Sequence, residues 1–145
     1  PDGLEESLAV VMMRVRRSVR ATLREAAQSE GLSQNEIEVL LLLAKGGYDT
    51  ARDISRQRGM PRSLVSKSVD LLLKRGYLQA SPDARDRRVA QATVDRLVLA
   101  KEAFFSQLCR GITREEAEAF YSMVGKLTRN LNECPLADEP EEPKG

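Results

Sequence analysis

Between Pro61 and Lys74 the chain sets Arg62, Ser63, Ser66, Lys67, Asp70 and Lys74 against an interleaved apolar series, Val65, Val69, Leu72 and Leu73. On a helix these two sets fall on different faces. The polar set holds no thiolate, imidazole or metal ligand. It offers guanidinium, ammonium and hydroxyl groups, the donors that reach phosphates and base edges, with Arg or Lys on guanine O6 and N7 as the favoured pairing. A few residues on, Arg85, Asp86, Arg87 and Arg88 follow the turn-forming stretch Ser81-Pro82-Asp83-Ala84. Arginine on a narrow tip suits the minor groove. Two acids stand among these cations. Asp70 is expected to pair with Lys67 or Lys74, and Asp86 to hold Arg85 or Arg88 extended through a charge-assisted hydrogen bond. Leu64 leans towards the polar side, and its role is open between packing in the core and touching a thymine methyl. Taken alone, each charged run is equally a solvated surface.

The elements around these residues decide between those possibilities. Leu4, Leu8, Val11, Met12, Val15, Val19 and Leu23 recur at helical spacing and predict a long first helix ending near Gly31. Ser33 and Glu36 have capping-box spacing, and Leu32 and Ile37 staple spacing, so a second helix runs through Leu43 and stops at Gly46-Gly47. Thr50 caps a short helix, Ala51 to Arg58. Gly59-Met60 turns the chain, and Pro61 suits the first turn of a fourth helix, which reaches about Arg75 before Gly76. Tyr77 to Ala80 and Val89 to Val94 are predicted as two short strands. Helices from about Arg96 to Arg110 and from Arg114 to Asn132 follow, the latter with a Thr113/Glu116 capping box. A short helix, a glycine-containing turn and a second helix make a helix-turn-helix, and a hairpin directly after it makes it winged. The fold class expected is therefore mainly α with a small β-hairpin wing, a winged helix-turn-helix with terminal dimerisation helices.

The chain has 145 residues, 41% hydrophobic, 31% charged and 4% aromatic, so one domain with an aliphatic core is expected. Its formal charge of +1 conceals an asymmetry. Arg52 to Arg88 holds ten Lys or Arg against four Asp, a local +6, and Glu133 to Gly145 holds five acids against one Lys, a local −4. Such a split points to a polyanion partner. The acidic, proline-bearing stretch 134–145 is expected to be disordered. The single domain is read as 1–133, with a DNA-binding lobe over about 32–95 and dimerisation helices over about 4–30 and 96–132. The apolar stripes of those terminal helices, Leu4, Leu8 and Val11 with Ile112, Phe120, Met123, Val124, Leu127 and Leu131, are best buried against a second copy.

The chemistry excluded is as informative. There is no His, no glycine-rich phosphate loop, and no Ser or Cys with a base at recognisable spacing, so no catalytic residue, metal or cofactor is expected. Cys109 and Cys134 are expected to be ordinary reduced thiols rather than a switch. No stretch approaches the roughly 18 apolar residues of a membrane span. The first residues show no signal-peptide pattern, and two cysteines in a chain of this size suggest a cytoplasmic protein. The chain starts at Pro1 without Met, which leaves room for a preceding segment.

Leu32-Ser33, Val65-Ser66-Lys67-Ser68-Val69-Asp70, Lys74-Arg75-Gly76-Tyr77-Leu78 and Asp83-Ala84-Arg85-Asp86-Arg87-Arg88 together resemble the multiple-antibiotic-resistance regulator (MarR) family over about residues 30 to 95. The resemblance implies a homodimeric transcriptional regulator of double-stranded DNA. It implies a repressor that recognises a palindromic operator and is released by a small aromatic or anionic effector. The DNA-contacting positions carried over are Pro61, Arg62, Ser63, Leu64, Ser66, Lys67, Lys74, Arg85, Asp86, Arg87 and Arg88. It also implies an effector site between the dimer helices and the DNA-binding lobe, where Arg14 or Arg17 could meet an anion. The chain departs from the family in Thr93-Val94-Asp95-Arg96-Leu97, which lacks the usual glycine and leaves the start of the fifth helix open. It also lacks the first-helix cysteine of peroxide-sensing members. The competing reading is a winged-helix protein-interaction module without specific DNA binding.

Overall fold

The computed structural model describes residues 3–47, 50–80 and 88–134. Among these, six α-helices and one two-stranded antiparallel sheet follow one another as α1 (Leu4–Ala26), α2 (Gln34–Lys45), α3 (Ala51–Arg58), α4 (Arg62–Lys74), β1 (Leu78–Gln79), β2 (Arg88–Val89), α5 (Gln91–Leu108) and α6 (Arg114–Asn132).

Local capping chemistry sets most of these boundaries. Ser33 Oγ accepts from the Glu36 amide and the Glu36 carboxylate accepts from the Ser33 amide, both at 3.2 Å. Thr50 and Asp53 form the same reciprocal pair at 3.1 and 3.3 Å. At α6 only half of the expected box forms. Thr113 Oγ1 accepts from the Glu116 amide, while the Glu116 carboxylate meets the Thr113 hydroxyl instead of the backbone. The first helix ends at Ala26, and a 3₁₀ turn, Gln28–Glu30, carries the chain to Gly31, whose φ of 65° lies in the left-handed region.

The largest departure from expectation is the segment after the hairpin. Val89 to Val94 was expected as a strand, but β2 ends at Val89 and α5 begins at Gln91, five residues before the expected start at Arg96. Thr93 and Val94 are β-branched, which favours a strand locally. Tertiary burial decides otherwise. Thr93, Val94 and Leu97 are all buried and share one helical face, and Gln91 Nε2 donates to Asp95 Oδ1 at 2.8 Å one turn on.

The core lies among α2, α3, α4, the hairpin and the facing parts of α1 and α5. Ile37, Leu40, Leu42, Ile54, Val65, Leu72 and Leu97 are fully enclosed, each such side chain being worth roughly 1.5–3 kcal/mol on removal from water. α6 takes no part in it, since none of its residues is buried. Residues 135–145, expected to be disordered, lie outside the described residues.

Candidate nucleic-acid interface

α3, the turn Gly59-Met60-Pro61 and α4 form the helix-turn-helix. Gly59 takes φ 66°, closing α3 with its amide on Ser55 O at 2.8 Å, and Met60 is buried beneath the turn. Pro61 stands at the cap of α4, just before its first helical residue. Its carbonyl accepts from the Leu64 and Val65 amides at 3.0 and 3.1 Å.

α4 is divided as its sequence requires. Val65, Ser68 and Leu72 face inward and are buried, with Val69 and Leu73 flanking them. Ser68 is satisfied there by donating to Leu64 O at 2.8 Å. Arg62, Ser63, Ser66, Lys67, Asp70 and Lys74 are exposed on the opposite side. Leu64 is half-buried and packs against the core, and Leu71 stands exposed at the edge of the polar face, a position that periodicity did not single out. Among the described residues no ion pair joins Asp70 to Lys67 or Lys74, contrary to expectation. Both lysine side chains are solvated, and an exposed pair of this kind gains little against the entropy of holding two long chains together.

The hairpin follows directly. Leu78 pairs with Val89 and Gln79 with Arg88. Leu78 is buried and Val89 half-buried, so the alternation of a strand sends Arg88 outward beside Gln79. The Ala90 amide donates to Tyr77 O at 2.9 Å and closes the base of the wing. Arg85, Asp86 and Arg87 lie outside the described residues. The structure thus brings Pro61, Arg62, Ser63, Ser66, Lys67 and Lys74 onto one helix, with Arg88 at the root of the wing that follows it.

A second feature was not legible from spacing. A cavity of about 400 Å³ opens where α1, α2, α3 and α5 meet, lined by Arg16, Arg20, Arg58 and Lys101 together with Gln34, Glu38 and Phe105. Arg20 Nε lies 3.5 Å from Glu38. Arg20 Nε, Arg58 Nε and Gln34 Oε1 are buried without a hydrogen-bond partner among the described residues. Burial, with Arg58 and Lys45 nearby, holds the Lys101 ammonium below its ordinary value of 10.5. Arg14 and Arg17, the arginines expected to meet an anion, are exposed and absent from this lining. Arg16, Val19, Arg20 and the buried Leu23 share one face of α1, but the other walls come from α2, α3 and α5, so spacing within α1 does not disclose the cavity.

Residues 30–89 match the model of the MarR family. The chain is 31% identical over 117 residues to the uncharacterised HTH-type transcriptional regulator YcgE of Bacillus subtilis, covering 74% of this chain and 75% of that protein. It is 22% identical over 139 residues to the HTH-type transcriptional regulator PapX of Escherichia coli, covering 89% and 85%. Among solved structures, a MarR family regulator from Silicibacter pomeroyi superposes with a TM-score of 0.72 at 28% identity, over 88% of this chain and 92% of that one. Among the described residues no helix is long and apolar enough to cross a membrane, and no group of side chains could hold a metal ion. Helix-turn-helix, hairpin and relatives agree: the chain belongs to the MarR family of DNA-binding transcriptional regulators.

Proposed function

We propose that the chain is a homodimeric cytoplasmic repressor that acts by binding alone and reads a palindromic double-stranded operator. In this reading α4 enters the major groove with Arg62, Ser63, Ser66, Lys67 and Lys74, Pro61 sets its first turn, and the wing places Arg85, Arg87 and Arg88 near the backbone and minor groove. Leu64 serves the core more than the DNA. Asp86 orients the wing arginines. The observation that carries the reading is the division of α4, buried on Val65, Ser68 and Leu72 and exposed along a cationic, hydroxyl-bearing face.

A second copy completes the molecule. Leu4, Leu8, Val11, Ile112, Phe120, Met123, Val124, Leu127 and Leu131 are all exposed in one chain. A patch of this size on two terminal helices favours burial against its own symmetry mate. Two α4 helices about one DNA turn, roughly 34 Å, apart then match a palindrome.

Release is assigned to the cavity. Four cations against Glu38, one of them, Arg58, with a buried Nε–H that has no hydrogen-bond partner among the described residues, favour an anion, and Phe105 favours an aromatic one. Occupancy would act on α3, the first helix of the helix-turn-helix, through Arg58. The test begins with selection of bound duplexes from random DNA. The chain is then titrated on the winner and a scrambled duplex at several salt concentrations, with and without benzoate as an anionic aromatic probe. Selection of a palindrome, and weaker operator binding with the probe, are expected. Enrichment of no sequence, with binding no stronger to the selected pool than to random DNA, would overturn the operator reading and favour the interaction module.

A further inference from the structure

The turn from Gln28 to Glu36 gathers polar contacts from two distant stretches of the chain. From the end of α4, Arg75 Nη2 donates to Glu30 O at 2.6 Å, and Arg75 Nη1 donates to Gly31 O at 3.2 Å and lies 3.3 Å from the Glu36 carboxylate. The Arg75 guanidinium also sits 5.4 Å above the Tyr77 ring, at the base of the hairpin. From the start of α5, Thr93 Oγ1 donates to Glu30 Oε1 at 2.8 Å and Arg96 Nη2 meets the same oxygen at 2.6 Å. Both roots of the wing are therefore tied to one turn, and that turn is the direct continuation of α1.

We propose that Glu30 and Arg75 are positioning residues that fix the angle of α4 and the wing relative to α1, and so set the operator half-site spacing that the dimer accepts. The argument turns on direction. The apolar contacts that join α1 to the lobe, through Leu23 and Ala27, hold the two parts together. Apolar burial is non-directional and permits small rotations about the contact. Hydrogen bonds weaken steeply with misalignment, so this cluster supplies angular definition. The Glu30 side chain is 18% exposed and that of Glu36 7%, which limits screening on the acid side. Arg96 is nearly half exposed, so the weight rests on Arg75 and on Thr93, which is buried. The inference rests on the dimer reading, because spacing has meaning only for two half-sites.

The test titrates the full chain, wild type, Arg75→Ala and Glu30→Ala, on the selected operator and on versions with the half-sites moved apart or together by one base pair. Native mass is measured on the same samples. Arg75→Ala, which removes the bonds to Glu30 O, Gly31 O and Glu36, should cost about tenfold in affinity at the selected spacing, equivalent to about 1.4 kcal/mol, and much less at the altered spacings. Glu30→Ala, which removes the contacts of Thr93 and Arg96, should act in the same sense severalfold. The preference for spacing then shrinks while the dimer persists. Thr93→Val, of equal volume, should shrink the same preference severalfold and guards against a Glu30→Ala chain that does not fold. Equal losses at every spacing, or none, would overturn the proposal. A wild-type chain that is monomeric or indifferent to spacing would overturn the dimer reading, and this inference with it.

Discussion

α4 and α6 are both long amphipathic helices, and they are used in opposite senses. α4 turns its apolar stripe inward, where Val65 and Leu72 are fully buried, and presents Arg62, Ser66 and Lys67 to solvent. α6 leaves Phe120, Met123, Val124 and Leu127 in solvent and buries nothing. A solvated cationic face loses little by waiting in water for a polyanion. An unpaired apolar face is unfavourable until another apolar surface covers it. On the proposed reading the two helices meet different partners, one transient and charged, the other permanent and apolar.

The largest effect should come from α6. Val124→Asp with Leu127→Asp places two charges in the apolar stripe and should leave a folded monomer by native mass. Operator affinity should fall on the order of a hundredfold or more, since the second half-site loses its effective concentration. A dimer that survives these changes would show that α6 faces no partner, and the contrast with α4 would fail.

Next in size is base readout by α4. Arg62→Ala or Ser66→Ala should narrow the gap between operator and scrambled duplex by roughly 1–3 kcal/mol for a true base contact. Arg88→Ala, at the root of the wing, should instead weaken both duplexes together, and the salt slope should flatten by about one phosphate equivalent. Titrations on both duplexes across a salt series separate these outcomes. Wing variants that erase sequence preference while helix variants lower both affinities equally would reverse the two roles.

What could be read from the sequence divides along the range of the forces involved. Helix starts at Gln34, Ala51 and Arg114 were legible because Ser33, Thr50 and Thr113 act on amides within one turn. The two faces of α4 were legible because periodicity carries them. The start of α5 was misread because Thr93 and Val94 favour a strand locally, and only their burial beside Leu97 makes them helical. The ties from Arg75 and Thr93 to Glu30 span 45 and 63 residues, and the cavity draws on four helices, so no local pattern announces either. Asp70 shows the converse failure, where spacing permits an ion pair and solvation leaves it unmade.

The smallest effect sharpens the comparison by adding a third kind of surface, the cationic cavity between the other two. Lys101 is held below its ordinary value first by burial and then by Arg58 and Lys45. The folded chain therefore binds this proton less tightly than the unfolded one. In the window that ends at the ordinary value of 10.5, the unfolded state carries more protons, so this group makes stability rise with pH. Below that window the proton sits on a partly buried ammonium beside two other cations, an unfavourable placement. Lys101→Met should remove that penalty, raising Tm at the low end of a pH series and flattening the alkaline rise. The same substitution deletes one of the four cations around the cavity, so release of the operator by benzoate should need more of the probe. Melting curves from pH 7 to 10, alongside operator titrations with benzoate, test both halves. A lower Tm would make Lys101 a structural partner whose charge the fold requires. A higher Tm with an unchanged benzoate response would move the anion site away from this cavity. A gain in stability coupled to a loss of response is the mark of a cluster of like charges kept together for a ligand rather than for the fold.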